Sequence, residues 1–78
     1  MDVKIYSTPT CSYCKGAKNY LSLKNIAFQD IDVSKDKDAS QEMVKISGQM
    51  GVPVIVVNGE VIRGFDQAQL DKVIGAGN

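Results

Sequence analysis

Apolar positions along the chain switch between a period of two and a period near 3.6, and each switch marks a new element. Asp2 to Ser7 alternates charge or hydroxyl with Val3 and Ile5 and then meets Thr8-Pro9-Thr10, which predicts a short strand ended by a turn. From Ser12 to about Lys24, Tyr13, Ala17, Tyr20 and Leu21 recur at i, i+4, i+7 and i+8, with Lys15, Lys18 and Asn19 between them, the pattern of an amphipathic helix. Thr10 is the expected cap, which places Cys11 at the helix start. Asn25 supplies a stop. Ala27, Phe28, Ile31 and Val33 then form a second strand-like run that gives way to a solvated charged loop, Ser34-Lys35-Asp36-Lys37-Asp38.

Asp38 or Ser40 is the expected cap of a second helix, in which Ala39, Met43 and Ile46 share a face before Gly48 stops it. Val52 to Val57 is continuous and β-branched, as suits a strand buried on both faces. Asn58-Gly59 is a strong hairpin signal, because both residues tolerate positive φ, and Glu60 to Arg63 is the return strand. Asp66 caps a last helix with Leu70, Val73 and Ile74 on one face, and Gly75-Ala76-Gly77-Asn78 is expected to fray. The order β-α-β-α-β-β-α predicts an α/β fold: a four-stranded mixed sheet with helices on both faces. A helical crossover makes the first two strands parallel, and a two-residue turn makes the last two antiparallel.

Length and charge narrow the function. Seventy-eight residues leave room for a single domain, spanning residues 1–78. Nine Lys and Arg balance nine Asp and Glu, so no basic face is available to track phosphates, and nucleic acid is not an expected partner. The amino terminus lacks a basic segment leading into an apolar run, and the longest apolar stretch, Val52 to Val57, falls far short of the ~20 residues of a membrane span. A monomer in the cytoplasm, away from membranes, is expected.

The candidate chemistry lies in Cys11-Ser12-Tyr13-Cys14. A disulfide across so short a loop would constrain an unfolded chain little, which makes a structural staple a poor explanation. C-x-x-C beside a β-α-β pattern is instead a redox signal. The thiolate is the attacking species, and free N–H groups at a helix amino terminus favour negative charge, so Cys11 is expected to be more acidic than free cysteine, with Lys15 a further contributor. Cys14 lies one turn inside, without that help. Cys11 is expected to attack a substrate disulfide and Cys14 to displace the reduced product. The two other readings are weaker. Zinc needs four ligands, usually Cys or His, and the chain has no His and no third Cys, so a site within one chain would need two carboxylates, and a dimer sharing four thiolates is the other way to complete one. Two inert buried cysteines fit poorly beside a Thr-Pro-Thr turn.

Ile5-Tyr6-Ser7, Thr10-Cys11-Ser12-Tyr13-Cys14, Gly48-Gln49-Met50-Gly51-Val52-Pro53 and Arg63-Gly64-Phe65-Asp66, in this order and across nearly the whole chain, resemble the glutaredoxins. The resemblance implies a thioredoxin-like fold, dithiol-disulfide exchange and glutathione as co-substrate, with no bound cofactor. It further implies that Pro53 is cis and that the Val52 backbone pairs with the bound peptide or glutathione. Tyr13, Gly64, Phe65 and Asp66 complete the implied binding surface, with Asp66 at the glutathione amino group.

The chain also departs from the family pattern. Thr8 and Met50-Gly51 stand where glutathione-binding members carry Lys and Arg-Thr, Arg63 replaces the first Gly of G-G-x-D-D, and Gln67 replaces its second Asp. Arg63 is a candidate replacement for the lost carboxylate clamp. Gly64-Phe65 resembles the S-G-F segment of the NrdH-type redoxins, which are reduced by thioredoxin reductase and serve ribonucleotide reductase, although Ile62 takes the place of their tryptophan. C-S-Y-C glutaredoxins also hold a [2Fe-2S] cluster between two monomers, a third role that the resemblance allows.

Phe65 reads more readily as a staple packed onto the helix that follows it than as a contact to a partner. Tyr6 and Phe28 are expected in or beside the core, and Met43 and Met50 need no functional role. Asp30 and Asp32 are expected to face water, unless one lies near the thiols as a proton acceptor.

Overall fold

The computed structural model describes residues 2–76, with side chains through Ile74. Its seven elements follow the predicted order: β1 Val3–Ser7, α1 Ser12–Leu23, β2 Gln29–Asp32, α2 Lys37–Ser47, β3 Val54–Val57, β4 Glu60–Arg63 and α3 Gln67–Ala76. The strands lie in the order β2-β1-β3-β4. β1 runs parallel to β2, with Tyr6 opposite Ile31, and antiparallel to β3, with Ile5 opposite Ile55. β3 and β4 form the hairpin, turning through Asn58 at φ 50° and Gly59 at φ 89°.

Side-chain alternation sorts the core into two layers. Val3 and Ile5 of β1, Ile55 and Val57 of β3 and Ile62 of β4 meet Ala17, Tyr20 and Leu21 of α1 and Leu70 and Ile74 of α3. Tyr6 and Val54 point the other way, onto Ala39 and Met43 of α2. Helices therefore cover both faces, and β3, flanked by strands on both sides, is apolar at every position. Its amino-terminal bound differs from the expectation: the strand begins at Val54, since Pro53 has no N–H to give a ladder, and Val52-Pro53 forms the approach. Edge strand β2 is polar, as an unpaired edge requires. Phe28 is half-buried just ahead of it.

Two caps differ from the sequence reading. Cys11, not Thr10, caps α1, its sulfur accepting from Cys14 N. Asp36, not Asp38 or Ser40, caps α2, its Oδ1 accepting from Ala39 N at 3.1 Å, which puts Asp38 in the first turn where its charge suits the helix dipole. The buried stripe of α1 also differs. Tyr13 is 71% exposed, and Cys14 joins Ala17, Tyr20 and Leu21 instead. Gly48 ends α2 at φ 74°, and Asp66 Oδ1 accepts from Gln69 N at 3.1 Å at the start of α3, as expected. α3 continues through Gly75 and Ala76, where fraying was expected, while Gly77 and Asn78 lie outside the described residues. Among the described residues no helix is long and apolar enough to cross a membrane.

Candidate active site

β1 delivers the chain to one end of the sheet, where Thr8-Pro9-Thr10 turns it into α1. Cys11 N–H donates to Thr8 O at 3.3 Å to close that turn, and Lys15 N–H donates to Cys11 O at 3.2 Å to start the helix. Cys11 is therefore the residue whose side chain faces the free N–H groups of the first turn, and Cys14 N–H donates to its Sγ at 3.2 Å. Both thiols are free, Cys11 partly exposed and Cys14 fully buried.

Burial, a hydrogen bond to Cys11 and the proximity of its charge push the Cys14 thiol up to about 11, against the opposing pull of the Thr8 N–H and the Lys18 ammonium. The two sulfurs thus occupy different environments: one at an open helix end, the other behind it in the core.

The remaining candidates come from three other segments. The Val52–Pro53 bond is cis, as the family resemblance implied. Gly64 N–H donates to Pro53 O at 2.8 Å, which ties the approach to β3 to the turn after β4, and Gly64 makes that turn at φ 83°. Phe65, next in the chain, is half-buried against α1: its ring meets Tyr20 edge-on at 5.9 Å between centroids. A Cβ on Gly16 would stand 3.3 Å from its Cε2, so this glycine inside α1 gives the ring its seat. Phe65 is thus a staple, though onto α1 rather than its own helix.

Tyr13 and Met50 are exposed at 71% and 83%. Asp66 is exposed and caps α3. Arg63 sends its Nε to Ser47 O at the end of α2, where it satisfies a terminal carbonyl. An open cleft of about 830 Å³ lies between the β3–β4 hairpin and α3, bordered by Asn58, Glu60, Asp66 and Lys72, and it contains neither cysteine. Among the described residues, no three His, Cys, Asp or Glu side chains gather where they would hold a metal ion.

Sequence reasoning missed Lys18. Its ammonium lies 3.0 Å from Asp30 Oδ2, and Ser7 Oγ donates to Asp30 Oδ1 at 2.7 Å. The available signal was its position four residues after Cys14, on the same helical face.

A family model described as Glutaredoxin matches residues 3–62, which carry both cysteines and Pro53. The chain belongs to the glutaredoxin family. Membership puts this glutaredoxin among the thiol-disulfide oxidoreductases, on a thioredoxin-like fold. It is 51% identical over 72 residues to an uncharacterized glutaredoxin-like 8.6 kDa protein of Clostridium pasteurianum, across 92% of this chain and 96% of that one. Glutaredoxin 3 of Escherichia coli strain K12 is 38% identical over 65 residues, 83% of this chain and 78% of that one. In structure, this glutaredoxin is similar to the NrdH-redoxin of Escherichia coli at a TM-score of 0.82, covering 94% and 95% of the two chains, with 22% identity, a likeness of fold alone.

Proposed function

We propose that this glutaredoxin reduces protein or glutathione mixed disulfides in the cytoplasm as a monomer, with Cys11 attacking and Cys14 resolving. The observation that carries the reading is the asymmetry of the pair: Cys11 is partly exposed and its Sγ faces the Cys14 N–H at 3.2 Å, while Cys14 is buried and held protonated. An N–H donor at a helix start suits an attacking thiolate. The Cys11 thiolate bonds to one sulfur of the substrate disulfide, the substrate S–S bond breaks, and the departing thiolate takes a proton. Cys14 then gives up its proton and attacks Cys11 Sγ, releasing the second substrate thiolate. The substrate gains two electrons and two protons, and the protein is left with a Cys11–Cys14 disulfide.

Tyr13, the Val52 backbone beside Pro53, Gly64, Phe65 and Asp66 form the substrate surface in this reading. The exposed Tyr13 ring and the link from Gly64 to Pro53 support it. Glutathione is the co-substrate that returns the dithiol to its reduced form. A second reading replaces glutathione by thioredoxin reductase and makes ribonucleotide reductase the acceptor. It is favoured by Gly64-Phe65 and by neutral Thr8 and Met50-Gly51 where cationic or polar anchors for glutathione would stand.

Single substitutions test the roles. Cys11→Ser abolishes exchange with every disulfide, whereas Cys14→Ser traps mixed disulfides and retains reduction of a glutathionylated peptide. Equal loss in both variants contradicts the assignment. NADPH consumption through glutathione with glutathione reductase, compared with thioredoxin reductase alone, separates the two readings.

A further inference from the structure

Lys18 stands one turn beyond Cys14 on α1, at the i+4 spacing that stacks side chains on one face. Asp30 on β2 holds its ammonium at 3.0 Å, and buried Ser7, the last residue of β1, holds the other oxygen of Asp30 at 2.7 Å. The next residue, Thr8, accepts at its carbonyl from Cys11 N–H at 3.3 Å, in the turn that opens α1. Two adjacent residues thus anchor both the turn that carries the cysteine motif and the ion pair on its helix. A pair with side chains 26% and 44% exposed adds little to stability, so its placement is the property of interest.

We propose that Lys18, fixed by Asp30 and Ser7, is a positioning residue for the resolving step: it keeps a positive charge beside the buried Cys14 sulfur when that sulfur must attack the Cys11 mixed disulfide. The inference rests on the assignment of Cys14 as the resolving thiol.

In the reduced protein, burial and two effects of Cys11, its hydrogen bond and its charge, keep Cys14 protonated, while Thr8 and Lys18 act the other way. Once Cys11 is bonded to a substrate sulfur it carries no charge, so its two effects fall away and those of Thr8 and Lys18 remain. Among the described residues, the titratable groups facing Cys14 are Cys11 and Lys18, both on α1. Asp30 of β2 meets Lys18, the loop after β1 contributes the Thr8 N–H, and Val52-Pro53-Val54 brings no ionisable side chain. Cys14 releases its proton to solvent, its thiolate bonds to Cys11 Sγ, and the Cys11–substrate bond breaks. The substrate sulfur departs as a thiolate and is protonated.

Reaction of the full chain with 5,5′-dithiobis(2-nitrobenzoate), followed by stopped flow across pH, resolves the two steps. The first thionitrobenzoate appears when Cys11 attacks, and the second when Cys14 closes the ring. In Lys18→Met the midpoint of the second release moves to higher pH. Below the midpoint, the rate falls about threefold per unit of displacement, because the thiolate fraction drops tenfold while greater nucleophilicity returns part of the loss. The first release stays within about twofold of the parent, Lys18→Arg restores the second profile, and Lys18→Gln repeats the comparison if methionine disturbs the fold. Superimposable second-release profiles, or equal slowing of both releases, overturn the proposal. A parent protein without a second release, or a Cys14→Ser variant that keeps it, overturns instead the assignment of Cys14.

Discussion

Cys14 donates its backbone N–H to Cys11 Sγ at 3.2 Å while its own sulfur is fully buried in the stripe that α1 turns toward the sheet. The same residue therefore serves its neighbour through its backbone and waits, protonated, through its side chain. That division follows from position alone: the first residue of the motif caps the helix, and the one three further on has turned inward.

The state of Cys14 makes stability depend on pH. Burial holds its thiol up to about 11 in the folded protein, against about 9 for a cysteine in an unfolded chain. A raised pKa means that the unfolded chain ionises first, so the favourable contribution is complete below about pH 9 and is lost as pH rises toward 11. Urea unfolding under reducing conditions should show the parent losing about 2 kcal/mol relative to Cys14→Ala between about pH 8 and pH 10.5. A constant difference between the two proteins across that range would sink the prediction.

The seat of Phe65 on Gly16 predicts a size limit. A Cβ at Gly16 already stands 3.3 Å from the ring, so Gly16→Val forces its added methyl groups into Phe65. Overpacking and poor helix propensity should cost about 1–3 kcal/mol in thermal or denaturant unfolding. Gly16→Ala should stay within about 1 kcal/mol of the parent, because the helix gains what the ring loses. If valine is tolerated as well as alanine, Phe65 does not sit against Gly16.

Arg63 is expected to act on stability through α2. Its Nε satisfies Ser47 O at the helix end, so Arg63→Ala should lower stability by about 1 kcal/mol, or about 4–8 °C in Tm for a domain of this size. Arg63→Lys keeps the charge but lacks the guanidinium Nε, and it should recover little of the loss. Full recovery with lysine would show that charge, rather than this hydrogen bond, matters.

The fold was legible because the strong signals were local. Asn58-Gly59, Gly48 and Asp66 each fix a backbone turn by their own conformational preference or side-chain acceptor, and each acts where the sequence placed it. The caps of α1 and α2 were misplaced because several residues in a row had suitable acceptors, and only chain direction chooses among them. Tyr13 was misread because its aromatic ring fits an apolar stripe, whereas a cysteine is as small and apolar as the core position requires. The cysteine pair was legible from spacing. The Lys18–Asp30–Ser7 network was not, since it joins a helix to two strands whose register appears only once β1 and β2 pair.

The division of labour between the cysteines is tested most directly by mapping which sulfur reacts first. The reduced protein is treated with less than one equivalent of iodoacetamide at about pH 6.5, digested, and the labelled peptide sequenced by mass spectrometry. Exposure of Cys11 and burial of Cys14 predict label on Cys11 in at least about tenfold excess. Label shared equally between the two, or concentrated on Cys14, would contradict the account.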